Sequence, residues 1–131
     1  MKHLVTLTLF CAFTLHASIF ADAIKAYNQK NYKEAFVMFK RAANNQSSVQ
    51  ANYFLGMMYL RGQATAKNLG QAQRYLKIAS SIGNKRAQCM LAEVYLQQGR
   101  KSYALKILDR LKDDKIIECE KIRQEYNINK G

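Results

Sequence analysis

Residues 51–62 read ANYFLGMMYLRG, and residues 87–98 read AQCMLAEVYLQQ. The two stretches, 36 positions apart, share alanine, leucine, a small residue and tyrosine at matching places. A second pair, KEAFVMFKRAA at 33–43 and GQAQRYLKIAS at 70–80, aligns at a shift of 37, and SYALKIL at 102–108 repeats its start. Such self-similarity predicts a tandem repeat in which two kinds of element alternate.

Each repeated stretch has the apolar spacing of an α-helix. Ala51, Leu55, Met58 and Tyr59 fall on one stripe of a helix, and the chain contains no proline. A helix hairpin with one apolar stripe buries that stripe only against its neighbours, so such hairpins form arrays. The sequence therefore predicts an all-α fold, a short α-solenoid of about three antiparallel helix pairs plus a C-terminal capping helix.

Helix starts and ends are marked by residue types that favour them. Serine, asparagine and aspartate accept hydrogen bonds from the first free N–H groups of a helix, and glycine adopts the left-handed conformation at its end. Predicted starts lie at Ser47 or Ser48, Asn68, Asn84, and Asp113 or Asp114, and predicted ends lie at Gly62, Gly83 and Gly99.

The N-terminal region has the pattern of a secretory signal peptide. A short basic start precedes an uncharged apolar stretch from Leu4 to Phe20, followed by the small-x-small run at residues 21–23. We predict a signal peptide over residues 1–23, cleaved after Ala21 or Ala23, and a repeat domain over residues 24–131. The alternative is a membrane anchor, but nothing basic follows the stretch to stop transfer.

The chain is strongly basic, with a formal net charge of +12. No aspartate or glutamate occurs between Glu34 and Glu93, whereas acids gather near the C-terminus. A positive field from the middle of the domain serves solubility, or it attracts an anionic partner: an acidic protein surface, or peripherally the anionic surface of an envelope. Nucleic acid is not expected, because no nucleic-acid motif is present and an exported protein seldom meets it.

Side chains that support catalysis or metal binding are scarce. Both histidines, His3 and His16, lie in the predicted signal peptide, so the repeat domain lacks the usual general base and metal ligand. Cys89 and Cys119 lack the spacing of a zinc site. In an oxidising compartment they form one disulfide, and otherwise they are two buried thiols. We expect no enzyme activity, no metal, no cofactor and no small-molecule substrate.

The pattern Ala51-x3-Leu55-Gly56-x2-Tyr59-x2-Gly62, followed by alanine at 72, leucine at 76 and glycine at 83, resembles the Sel-one-like repeat. This family is the longer-looped relative of the tetratricopeptide repeat. The resemblance covers about residues 24–112. The chain departs from the family after Gly62, where Ala64 and Thr65 replace the usual glycine and valine.

The resemblance implies a bacterial protein that binds another protein on the concave face of the solenoid, along one edge of each first helix. Transferred position by position, the predicted binding residues are Tyr27, Gln50, Tyr53, Met57, Leu60, Arg61, Arg86, Glu93, Leu96 and Gln97. In this register Cys89 and Cys119 lie at adjacent first-helix positions. Several of the apolar residues in the set could equally belong to the core.

The resemblance favours an adaptor or scaffold in the periplasm, with the extracellular space as the second location. A narrower alternative is a periplasmic immunity protein that blocks a secreted toxin such as a lipase effector. A third alternative comes from cysteine-rich relatives, for which β-lactam binding or hydrolysis is proposed. Those relatives carry cysteine pairs in every repeat, whereas this domain has two cysteines in all.

Overall fold

The computed structural model describes residues 19–44 and 48–128. In this part of the chain the regular elements are helices, and no strand occurs. They are α1 (19–28), α2 (Tyr32–Asn44), α3 (Val49–Arg61), α4 (Leu69–Ser81), α5 (Lys85–Gln97), α6 (Lys101–Arg110), a short 3-10 helix (Lys112–Asp114) and α7 (Ile117–Glu125).

The helices pair as consecutive hairpins, α1 with α2, α3 with α4, and α5 with α6, and α7 packs on α5 at the C-terminal end. Successive hairpins pack on one another through α2–α3 and α4–α5. The predicted α-solenoid with three helix pairs and a capping helix is thus confirmed. We call α1, α3 and α5 the first helices of the three hairpins, and α2, α4 and α6 the second helices.

Equivalent positions of the second helices are buried in every repeat. Phe39, Leu76 and Leu108 are fully buried, as are three alanines four residues before them, Ala35, Ala72 and Ala104. The alternation of large and small side chains lets neighbouring helices interlock at close-packed density. Burial of each large side chain stabilises the array by about 1.5–3 kcal/mol.

One close helix contact depends on the absence of a side chain. A Cβ atom added at Gly56 of α3 would lie 2.5 Å from Cγ and 2.8 Å from Cδ2 of Leu76 on α4. The glycine therefore sets the distance between the two helices of the central hairpin. Ala92 occupies the matching position of the next repeat and is also fully buried.

The side-chain caps of three helices match their prediction. Ser48 accepts a hydrogen bond from the backbone N–H of Ala51 at the start of α3. Asn68 and Asn84 do the same for α4 and α5. Each side chain satisfies one of the backbone donors that a helix start leaves free.

The predicted cap of the last helix is wrong. Asp113 and Asp114 lie in the 3-10 helix, and α7 starts later, after Ile116, without a side-chain cap. Lys115, at φ 50°, turns the chain between the two helices. Asp114 instead forms an ion pair with Lys85, with 2.6 Å between Oδ1 and Nζ.

The loop between α3 and α4 holds two residues in the left-handed conformation, Gly62 at φ 66° and Ala64 at φ 64°. Glycine accepts this conformation without strain, but alanine does not. Ala64 occupies the loop position at which the Sel-one-like repeat usually has its second glycine. The backbone N–H of Asn68 donates to the carbonyl of Tyr59, which closes the loop against α3.

Both predicted cleavage bonds lie inside α1, while the apolar stretch up to residue 18 lies outside the described residues. Ala23 and Ala26 are buried against α2 and α3, whereas Ala21 and Asp22 are exposed. Within residues 19–44 and 48–128, no helix is long and apolar enough to cross a membrane.

Candidate functional site: a groove between three helices

One stripe from each of α3, α5 and α7 borders a groove with a volume of about 250 Å³. The contributing residues are spaced three or four apart, which places them on one face of each helix. They are Tyr53, Met57 and Arg61 from α3, Arg86, Met90 and Glu93 from α5, and Glu118, Lys121, Ile122 and Glu125 from α7. The groove has an apolar floor between two charged ends, formed by the partly exposed Met57 together with Met90 and Ile122, which are 4% and 3% exposed.

At one end, Arg61 and Glu93 form a two-pronged ion pair. Nη1 and Nη2 of Arg61 donate to the two carboxylate oxygens of Glu93 at 2.5 and 2.8 Å, and Gln97 donates to Oε1 at 3.1 Å. Glu93 is 0% exposed, whereas the side chain of Arg61 is 43% exposed. A buried carboxylate is tolerated because these donors compensate its charge.

The environment of Arg61 changes its acidity in two opposing ways. Burial alone would lower the pKa of Arg61, but its hydrogen bonds to Glu93 and the charge of that carboxylate raise the pKa above its usual value. Arg61 therefore stays charged across the physiological range, and this end of the groove is a fixed structural pair.

At the other end, Arg86 bridges α3 and α7. Its Nε donates to Oε1 of Glu118 at 2.5 Å, and its guanidinium lies 5.1 Å from the centre of the Tyr53 ring. Burial raises the pKa of the Tyr53 hydroxyl, and the nearby charge of Arg86 opposes this only in part. Tyr53 is thus a neutral hydrogen-bonding group in the groove at neutral pH.

A disulfide joins Cys89 on α5 to Cys119 on α7, with 5.0 Å between the Cα atoms. The alternative that the sequence left open is therefore resolved in favour of the bridge. Arg123 of α7 is buried and donates a hydrogen bond to the backbone carbonyl of Leu108. Together these contacts hold α7 in place as the third wall of the groove.

The groove contains five of the ten predicted binding residues: Tyr53, Met57, Arg61, Arg86 and Glu93. The remaining five, Tyr27, Gln50, Leu60, Leu96 and Gln97, lie outside the set that borders it. Leu60 is 1% exposed and belongs to the core, and Glu93 is buried by its ion pair, so neither offers a free surface to a partner. The Tyr27 hydroxyl donates to Gln63 instead.

Sequence reasoning missed the contribution of α7. Glu118, Lys121, Ile122 and Glu125 line the groove. The register placed only Cys119 of this helix, because α7 lacks the repeat pattern from which the binding residues were transferred. Glu118 of α7 and Asp114 of the preceding 3-10 helix also change the electrostatics, because they pair with Arg86 and Lys85 and largely neutralise the positive charge of these two bases.

The repeat pattern identifies the family of the chain. The profile of the Sel1 repeat matches residues 29–47, 49–84 and 85–105. The chain belongs to the Sel1 repeat family. No curated protein matches the chain.

A solved structure shows the same fold for a Sel1 repeat protein from Oxalobacter formigenes. The alignment covers 95% of this chain and 99% of that chain, with a TM-score of 0.64 and 19% sequence identity. At this identity the likeness describes the arrangement of the helices alone. Within the described residues, no group of three or more His, Cys, Asp or Glu side chains could hold a metal ion.

Proposed function

We propose that the chain is a protein-interaction module that receives apolar side chains of a partner protein in the groove between α3, α5 and α7. Sel1 repeats generally mediate protein–protein interaction. The observation that supports this site is the apolar floor framed by two ion pairs and a disulfide. Its volume of about 250 Å³ suits one or two anchoring side chains of a protein better than a drug-sized ligand.

The chemistry of the groove favours an amphipathic segment over a purely acidic one. Arg61 and Arg86 already have carboxylate partners, and the rim adds Lys121 and Glu125, which have opposite charges. An acidic partner would therefore compete with Glu93 and Glu118 for the arginines. A helix or extended peptide with an apolar anchor and flanking charges of both signs fits without breaking either pair.

We further propose that the protein acts after export, with the periplasm as its location. The pattern of residues 1–23 is typical of a signal peptide. The disulfide between Cys89 and Cys119 supports the same proposal, because disulfides persist in oxidising compartments.

A narrower form of the proposal is an immunity protein that blocks a delivered toxin. The observation that favours it is the covalent fastening of α7 to α5, since a pre-formed groove loses little entropy on binding. A gene for an effector beside this one, with a product that binds the groove, would support this form.

The proposal is tested by affinity capture with two variants that add the same charge at different places. Met57→Glu puts a carboxylate on the groove floor, and Ser81→Glu puts one at the exposed end of α4. We expect the Met57→Glu variant to fail to capture the protein that the wild type captures, and the Ser81→Glu variant to capture it as the wild type does. Equal capture by both variants, each shown by circular dichroism to be folded, would exclude the groove as the contact.

A further inference from the structure

The charges of the protein are divided between the two kinds of helix. The second helices α2, α4 and α6 contain eight lysines and arginines but only two acids, Glu34 and Asp109. By contrast α3, α5 and α7 contain five bases and four acids. The excess positive charge therefore lies on the second helices, none of which borders the groove.

Six cations recur at outward positions of the second helices: Lys40, Arg41, Arg74, Lys77, Lys106 and Arg110. We call this set the cationic face. All six are exposed. Lys40 and Lys77 occupy equivalent repeat positions, as do Arg74 and Lys106, because the buried residues between them align.

None of the six cations of the cationic face forms an ion pair with a carboxylate in the part of the chain that the structure describes. In residues 19–44 and 48–128, the ion pairs involve other cations, and Asp109 of α6 is engaged by Lys112. The groove differs, because Arg61 and Arg86 each have a carboxylate oxygen at 2.5 Å. Arg110 donates to the neutral amide of Gln88, and Lys40 and Arg74 lie over aromatic rings, so none of these contacts cancels the charge. Cations without a carboxylate partner on one broad face concentrate the positive potential there.

Exposed aliphatic side chains lie among these cations. Val37 on α2 is 51% exposed, Ile78 on α4 is 38% exposed, and Ile82 just after α4 is 61% exposed. Leu105 on α6 is also exposed. Contact with the phosphates of a nucleic acid gives aliphatic side chains no favourable binding free energy. Insertion between lipid headgroups does, because it removes these side chains from water while lysine and arginine bind the phosphates above them.

We propose that the cationic face docks the protein on the surface of a bilayer that contains anionic lipids, which leaves the groove between α3, α5 and α7 open to a protein partner. The partner is assigned by complementarity, since phosphate-bearing headgroups match the unpaired cations and the acyl boundary matches the exposed aliphatic side chains. This site is independent of the groove, and either proposal can fail without the other.

Binding to vesicles tests the proposal with charge-matched variants. One variant combines Lys40→Glu, Arg74→Glu and Lys106→Glu on the cationic face. The control combines Lys25→Glu, Lys67→Glu and Lys115→Glu, which are exposed elsewhere, lie outside the groove and change the net charge equally. Both retain the same N-terminus as the wild type, so any affinity of that segment for lipid is common to all three proteins.

We expect the wild type to bind vesicles of phosphatidylglycerol and phosphatidylcholine at about 0.1 M salt, and to bind pure phosphatidylcholine far more weakly. The cationic-face variant should lose about 100-fold in affinity for the anionic vesicles, and the control only a few-fold. Equal losses in both variants would mean that net charge alone acts and would overturn the proposal, as would absence of binding by the wild type.

A second pair of measurements separates a bilayer from a free polyanion. Replacing Ile78 and Ile82 by serine should weaken binding to anionic vesicles but leave binding to single-stranded DNA or polyphosphate unchanged. If the wild type binds these polyanions more tightly than the vesicles, and the serine variant binds vesicles as the wild type does, the bilayer assignment is wrong.

Discussion

The guanidinium of Arg61 and the carboxylate of Glu93 share one ion pair but differ in their access to water. Glu93 is fully buried, while nearly half of the Arg61 side chain is exposed. Loss of Arg61 therefore strands a buried charge, whereas loss of the Glu93 charge leaves an arginine that water can solvate.

This difference predicts unequal costs for the two halves of the pair. Arg61→Ala should lower the free energy of unfolding by about 3–5 kcal/mol. Glu93→Gln should lower it by only about 1–2 kcal/mol, because the amide keeps an acceptor. Urea unfolding followed by circular dichroism measures both, and a greater loss for Glu93→Gln would contradict the assignment. The same cost makes Arg61 a poor choice for testing partner contacts.

Gly56 supports a second prediction at the residue scale. Gly56→Ala should destabilise the protein by about 1–3 kcal/mol, because the added Cβ overlaps Leu76 and pushes α3 from α4. Gly70→Ala is the matched control, since a Cβ there meets only Oδ1 of Asn68, at 3.4 Å. It should be neutral or stabilising, owing to the helix propensity of alanine. Equal thermal midpoints for the two variants would show that Gly56 does not set the helix spacing.

At the element scale, α7 is attached mainly by contacts with α5. The disulfide, the pair Arg86–Glu118 and the buried Arg123 connect it to the last repeat, and the pair Lys85–Asp114 attaches the preceding 3-10 helix to α5. The two ion pairs are partly exposed, and such pairs contribute little individually. The disulfide and the burial of Ile122 therefore account for most of the attachment.

Replacing both cysteines by serine tests this attachment. Removal of the bridge should lower the free energy of unfolding by about 2–4 kcal/mol. Amide hydrogen exchange should then accelerate first across Ile117–Glu125, with α3 and α4 still protected. Unchanged protection of α7 in the double variant would show that packing alone holds the third wall.

Features that depend on residues close together in the sequence, such as helix caps, could be predicted from the sequence. Features that depend on contacts between distant residues could not. The caps at Ser48, Asn68 and Asn84 act within three residues, so sequence located them. The predicted cap Asp114 lies instead in the 3-10 helix and pairs with Lys85, 29 residues away, a contact that no local sequence signal indicates.

The same distinction applies to the groove. The repeat register placed Tyr53, Met57 and Arg86 on it, because they lie on helices with the repeat pattern. The carboxylates that neutralise its arginines come from Glu93 and Glu118, and their pairings each span 32 residues. No sequence pattern indicates which acid meets which base. The sequence therefore predicted Arg61 and Arg86 as binding residues without indicating that each has a carboxylate partner, whereas the cations without such a partner lie on the second helices.

At the scale of the whole molecule, folding is linked to pH through tyrosine. Burial raises the pKa of Tyr27, Tyr53 and Tyr126 above the ordinary value of 10.0. The folded protein therefore holds these protons more tightly than the unfolded chain does. The resulting stabilisation is complete below pH 10 and is lost as the pH rises through the folded pKa values.

We accordingly expect the urea midpoint to fall as the pH is raised from roughly 9 to roughly 11. Tyr53→Phe removes one of the three groups and should make this fall shallower, whatever its effect at neutral pH. A fall of equal steepness in the variant would mean that Tyr53 does not contribute to the linkage.

The two faces of the solenoid give the molecule its proposed organisation, with a protein partner in the groove and a bilayer beneath the second helices. The groove is the central element of this account. A photo-crosslinking amino acid placed at Met57, at Lys121 or at the exposed Ser81 tests it directly in cells that produce the protein. We predict a covalent adduct with one protein from Met57 and Lys121 but none from Ser81. Adducts from Ser81 alone, or from none of the three positions, would contradict it.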